Sequence, residues 1–209
     1  MIDTHCHLNH DRFEADLEAT LERSHRSGVV GHIVVGFDRP SSADAVRLAV
    51  QYSNLWAAVG IHPHDATGYS AADTGWLRDL AQAARVVAIG EIGLDYHRDY
   101  SPRVAQRDAF AAQLAFAVDL GLPVVIHCRN AYDDVLDTLA AYRGAVRGVM
   151  HCWSGTVEDA ERALDLGLML GIGGVLTFVN PGSLPDSVRI AGLDRIVLET
   201  DAPYLAPTP

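Results

Sequence analysis

The chain has 209 residues, 49% of them hydrophobic and 21% charged, which fits one globular domain over residues 1–209. With 16 basic residues against 27 acidic ones the net charge is −11, which argues against a protein that wraps nucleic acid through a broad basic surface. Three cysteines are too few for a disulfide framework. No apolar run is long enough to span a membrane, and no basic leader precedes Ile2, so a cytoplasmic location is expected.

Short runs rich in Val, Ile and Leu alternate with longer segments of helical character. In chain order, strands are predicted at Met1–His7, Gly31–Phe37, Trp56–His62, Val86–Ile92, Pro123–His127, Gly148–Cys152, Met169–Gly173 and Arg195–Asp201. Helices are predicted between them at Arg12–Ser27, Ser41–Tyr52, Thr74–Ala84, Pro102–Leu120, Tyr132–Tyr142, Thr156–Leu166 and Leu184–Ala191. Ser101 is placed to cap the fourth helix, with Pro102 in its first turn. Gly28, Gly121 and Gly167 sit where helices should stop. Strict alternation implies a parallel sheet with helices outside it, and eight strands point to an α/β TIM-type (β/α)8 barrel. An open doubly wound sheet is the rival, but the first strand runs into His5-Cys6-His7 where a Gly-rich phosphate loop would stand. No helix follows Asp201 before the chain ends at Pro209. The barrel is therefore expected to lack its final helix, through C-terminal truncation or replacement by another element.

Ligand-type residues fall at the predicted strand ends: His5 and His7 on the first, Glu91 on the fourth, His127 on the fifth, His151 on the sixth and Asp201 on the eighth. Carboxyl-end tips of barrel strands converge on one mouth, and His5 and His7, two apart, face the same side of their strand. A lone histidine is more often a satisfied core or surface residue, but six metal-ligating groups at strand tips are not explained by packing. Four imidazoles and two carboxylates suit two divalent ions, Mg, Mn or Zn. All sixteen basic residues are Arg, so the carbamylated lysine that bridges ions in some barrel hydrolases is ruled out, leaving Glu91 as the bridge. Cys6, Cys128 and Cys152 each adjoin a proposed ligand, and strand alternation turns them towards the helices. Asp3 and Glu199 lie two residues below His5 and Asp201 on their strands, as carboxylates that orient a ligand or as partners of a buried Arg. Around the mouth, His62 is a candidate contact for a substrate phosphate and His64 a loop residue. Arg129 is a phosphate clamp or a surface salt bridge, and Tyr96 and Trp153 are base-stacking or lid residues.

The segments Asp3-Thr4-His5-Cys6-His7-Leu8, Gly60-Ile61-His62-Pro63-His64, Gly90-Glu91-Ile92-Gly93-Leu94-Asp95-Tyr96, His127-Cys128-Arg129-Asn130-Ala131, His151-Cys152-Trp153-Ser154-Gly155 and Glu199-Thr200-Asp201-Ala202-Pro203-Tyr204-Leu205 resemble, in order, the signatures of the TatD family of metal-dependent hydrolases. The resemblance implies a metallo-dependent-hydrolase barrel and deoxyribonuclease activity, often 3′→5′ on DNA. It also implies His5, His7, Glu91 and Asp201 as ligands of one ion, with Glu91, His127 and His151 holding the other. The sequence departs from the family in ending soon after Leu205, and in carrying Val179 where a basic residue is common. The function expected is cleavage of DNA phosphodiesters by a metal-activated water that Asp201 orients or deprotonates, with Glu91 the other catalytic carboxylate. Two other readings are hydrolysis of a small phosphoester, ester or amide on the same site, and a non-catalytic, assembly-dependent protein. No membrane partner is expected, and the oligomeric state is open.

Overall fold

The computed structural model describes residues 1–209. Eight parallel strands run in sequence order around the sheet: β1 (Ile2–Cys6), β2 (Gly31–Val35), β3 (Leu55–Val59), β4 (Val86–Asp95), β5 (Val124–Arg129), β6 (Gly148–Met150), β7 (Met169–Ile172) and β8 (Ile196–Leu198). Seven helices join them: α1 (Leu17–Arg26), α2 (Arg39–Gln51), α3 (Ala71–Leu80), α4 (Arg103–Leu120), α5 (Tyr132–Ala140), α6 (Val157–Asp165) and α7 (Leu184–Ala191). Every predicted element is present, and no eighth helix follows β8. Gly28, Gly121 and Gly167 have φ of +90°, +67° and +89°, the left-handed stops expected after α1, α4 and α6. No helix is long and apolar enough to cross a membrane.

The barrel closes beyond the ends of its regular strands. Asp201 N donates to His5 O at 2.9 Å and His7 N to Ala202 O at 2.8 Å. The buried Asp3 carboxylate adds to this seam, accepting from Thr200 N (3.0 Å) and Thr200 Oγ1 (2.6 Å). These bonds decide the role of Asp3: it pins the last strand to the first, and no Arg pairs with it. On the outer side of the seam, Leu198 and Ile2 are 44% and 46% exposed, where an eighth helix would lie.

The boundaries differ from the sequence reading in an informative direction. β1, β3, β6 and β8 stop before His7, His62, His151 and Asp201, so those side chains stand on the rim, just past the ladder. β4 instead runs three residues past its predicted end, to Asp95. The helix α4 begins at Arg103, and Ser101 does not cap it. Ser101 is buried, accepts from Thr67 N at 3.0 Å and donates to His64 O at 2.8 Å, tying the start of α4 to the loop that follows β3.

Two buried glutamines on α4 fasten the helix to the barrel rim. Gln113 accepts from Ile61 N (2.8 Å) and donates to Ile61 O (3.0 Å). Gln106 does the same for Asp95 N (2.8 Å) and Asp95 O (3.2 Å). Each amide satisfies backbone N–H and C=O groups that no neighbouring strand pairs, as buried backbone requires. We expect Gln113→Leu, which strands both Ile61 groups, to cost about 2–4 kcal/mol, read as a lower urea midpoint with an unchanged slope.

Candidate metal centre

The residues at the rim meet in one place. His5 Nε2 and His7 Nε2 face each other at 3.3 Å, with Asp201 Oδ1 3.8 Å and 3.4 Å away. His62, Glu91 and His127 form a second group, and His5, His151 and Glu199 a third, each with ligand atoms close enough to hold one ion. Glu91 stands between the first two. Its Oε2 lies 3.5 Å from His5 Nε2, while Oε1 lies 2.9 Å from His127 Nδ1 and 3.5 Å from His62 Nε2. All six candidate ligands therefore converge, and none is dispersed beneath the helices.

Two arrangements differ from the sequence reading. His62, expected to meet substrate phosphate, is 7% exposed and completes the donor group with Glu91 and His127. His151 stacks on His5 with ring centroids 3.5 Å apart, its Nε2 4.0 Å from Glu91 and 3.8 Å from Asp201, within reach of both groups.

The residues behind the ligands are carboxylates. Glu199 Oε1 lies 2.9 Å from His151 Nδ1, off the alignment of a hydrogen bond, and accepts from Cys152 N at 2.6 Å. Asp95, missed in the sequence, accepts at Oδ1 from the backbone N–H groups of His97 and Arg98. Its Oδ2 contacts His64 Nε2 at 2.9 Å and His127 Nε2 at 3.2 Å. With Nε2 occupied by Asp95, His127 presents Nδ1 to the centre, and a carboxylate behind a ligating imidazole fixes its tautomer and orientation. The signal for Asp95 was its even spacing from Glu91 on one strand. His64 is likewise more than a loop residue.

Burial opposes charge on these groups, yet their mutual attraction prevails. For Glu91, burial raises the pKa, but His62, His127 and His5 outweigh it and hold the carboxyl well below its ordinary range. Burial also raises Asp201, and contacts with His7 and His151 bring it below the usual value. His151 is disfavoured by burial but pushed up to about 10 by Glu199, Glu91 and Asp201. Burial and the neighbouring His127 take His62 down to about 4, leaving a neutral imidazole free to donate its lone pair.

A cation suits this donor set. Imidazole nitrogens and carboxylate oxygens crowd inward from several strands with more lone pairs than protons to share between them. His5 Nδ1 and Glu199 Oε2 are buried without a hydrogen-bond partner. Nitrogen and oxygen donors of this kind fit divalent ions.

Above the centre opens a cavity of about 670 Å³, bordered by Phe37, Arg98, Arg129, Phe178 and Tyr204 among others. Arg129 is where the sequence placed it. Trp153 and Tyr96 are not available to stack on a base. Trp153 is 1% exposed and packs edge-on against Tyr132 at 5.0 Å. Tyr96 donates its hydroxyl proton to Asp134, and Arg103 covers its ring at 4.2 Å. Cys6 and Cys128 are buried as expected, though Cys128 also reaches the cavity lining, whereas Cys152 is half-buried, follows β6 with φ of +47° and borders the mouth. Strand alternation does not reach past the strand, which is why it misplaced this one.

Residues 2–209 match the family model of TatD related DNase. The chain is 40% identical to an uncharacterized metal-dependent hydrolase, YabD, of Bacillus subtilis, covering 100% of this chain and 82% of that protein. It is 39% identical to the 3′-5′ ssDNA/RNA exonuclease TatD of Klebsiella pneumoniae, covering 99% and 80%. The crystal structure of YjjV, a TatD homolog from Escherichia coli K12, superposes with a TM-score of 0.93 at 34% identity, covering 100% and 81%.

Asp95→Asn, which takes the shared acceptor from His64 and His127, should weaken Mn²⁺ or Zn²⁺ binding by about 10–100-fold in titration calorimetry. All three thiols should resist a disulfide reagent at pH 8 in the folded protein and react once unfolded. Burial raises Cys6 and Cys128 and, with Glu199, pushes Cys152 up to about 12, so the reactive thiolate is scarce until strongly alkaline pH.

Proposed function

Since the chain belongs to the family of TatD related DNases, and with it to the metal-dependent hydrolases, we propose that it cleaves phosphodiester bonds at the end of single-stranded DNA with two divalent ions. The observation that carries this reading is Glu91: its two carboxylate oxygens address two different groups of imidazoles on the floor of an open mouth. His5, His7 and Asp201 would hold one ion, and His62 and His127, through Nδ1, the other. Glu91 would bridge the pair, with His151 in reach of either. Mg²⁺, Mn²⁺ or Zn²⁺ bound here supplies the positive charge that lowers the pKa of water and neutralises phosphate oxygens.

The chain's own groups do the rest. Asp201, ionised and partly open to the mouth with 15% of its side chain exposed, takes a proton from the attacking water. The water oxygen bonds to phosphorus, the bond from phosphorus to the leaving sugar oxygen breaks, and the proton passes to that oxygen. Glu199 and Asp95 hold His151 and His127 in place behind the reaction. The depth of the floor supports a single-stranded substrate. His5, His7, Glu91 and His151 are all buried, so a scissile phosphate must descend into the barrel mouth, which a stacked duplex is too wide to do. The cavity also suits a small phosphoester or an amide, and a substrate panel separates those readings from cleavage of DNA.

Purified protein should contain two divalent ions per chain by elemental mass spectrometry. Excess chelator should abolish cleavage of a labelled single strand, and Mn²⁺ or Mg²⁺ should restore it. Asp201→Asn should lower kcat by about 10²–10⁴-fold. Full cleavage by the stripped protein, or an undiminished rate for Glu91→Ala, overturns the reading.

A further inference from the structure

The walls of the mouth differ in chemistry. Arg98 and Arg129 stand together on one side, since Arg129 is the register partner of Asp95 across β4 and β5 and Arg98 follows three residues later. Both are exposed, and neither guanidinium is among the arginines that pair with a carboxylate. Of the other arginines without a carboxylate, Arg85, Arg143, Arg147 and Arg195 bond backbone carbonyl oxygens instead. Nearby Arg103 is tied to Asp99 at 2.8 Å and Arg107 lies 3.5 Å from Asp134, while Arg23, Arg26, Arg39 and Arg162 elsewhere are also paired with carboxylates. The Asp95 carboxylate beside them is committed to two imidazoles and two backbone N–H groups. Asp65 also lines the cavity.

The opposite side is apolar. Phe37 and Tyr204 meet the His7 ring edge-on at 5.6 and 6.1 Å, and Val175, Phe178 and Leu205 continue the surface. Tyr204 is 47% exposed, an aromatic side chain that the barrel core does not use. The imidazole and carboxylate floor lies between the two walls.

We propose that the mouth is a two-walled nucleotide site, in which Phe37, Phe178 and Tyr204 stack a base while Arg98 and Arg129 hold a phosphate next to the scissile one. The assignment rests on the phosphodiesterase reading above and names the substrate class more closely. A guanidinium fork matches phosphate oxygens, and an aromatic face accepts any base, so recognition is sequence-tolerant. An oligonucleotide end, with a base beside the scissile phosphate and another phosphate beyond, engages the floor and both walls. A bare phosphodiester or an amide engages the floor alone. A cavity of about 670 Å³ falls within the range of about 300–1,000 Å³ usual for small-ligand sites.

The test measures binding of a fluorescent five-nucleotide single strand to metal-stripped protein, alongside a strand of equal length with abasic sites. Wild type should bind the ordinary strand about tenfold more tightly than the abasic one. Tyr204→Leu with Phe178→Leu should reduce that difference several-fold by weakening only the ordinary strand. Arg98→Gln with Arg129→Gln should weaken both strands and flatten the dependence of log affinity on log salt by about 0.7, the value for one neutralised phosphate on a single strand. Equal binding of the two wild-type strands, undetectable binding included, overturns the base wall, and this comparison needs no variant. An unchanged salt slope in a variant that melts like wild type overturns the phosphate wall. Because no metal is present, cleavage and binding fail separately. A protein that binds in this pattern but cleaves nothing refutes the nuclease reading, and one that cleaves DNA without the pattern refutes only the two walls.

Discussion

The structure depends on a balance between burial and mutual attraction at the carboxyl ends of the strands. Glu91 and Asp201 are carboxylates taken largely out of water, and they stay ionised only because imidazoles from four other strand ends surround them. Such a cluster is costly without a cation, since charged groups and lone pairs are desolvated with imperfect compensation. An ion that binds only the folded chain returns that cost as stability, in proportion to its occupancy. Chemistry and folding thus draw on the same set of contacts.

Barrel closure and site assembly are likewise one event. The first donor group takes His5 and His7 from β1 and Asp201 from beyond β8, and the Asp3–Thr200 bonds join residues 197 apart in sequence. The entropy of closing so long a loop grows only with the logarithm of its length, so a few well-buried hydrogen bonds can hold it. The centre exists only when the ring is complete. His127 shows the same coupling on a smaller scale: its usable nitrogen is set by a carboxylate on the neighbouring strand.

The barrel and the convergence of imidazoles and carboxylates were legible because both follow from periodicity. Alternating apolar runs define strands, and single polar residues at their ends can meet only at one mouth. The residues that were not legible depend on packing between elements distant in sequence. Trp153 and Tyr96 stand in rim segments where aromatic residues can face either way, and contacts with Tyr132, Asp134 and Arg103 turned them from the cavity. Phe178 and Tyr204 border the mouth from loops with no regular period to read. His62 was read as a phosphate contact at the end of the third strand, but β3 stops three residues earlier and the loop folds its ring towards Glu91.

The two glutamines of α4 carry a consequence for how the rim moves. Gln106 and Gln113 are seven residues apart, two turns or about 10.5 Å along one helix face. One grips the backbone beside Asp95 and the other the backbone beside His62. The loops bearing these groups are thereby graduated against a single rigid rod. A displacement of α4 carries both segments together, so breathing of the outer shell moves His62 in step with the carboxylate that orients His127.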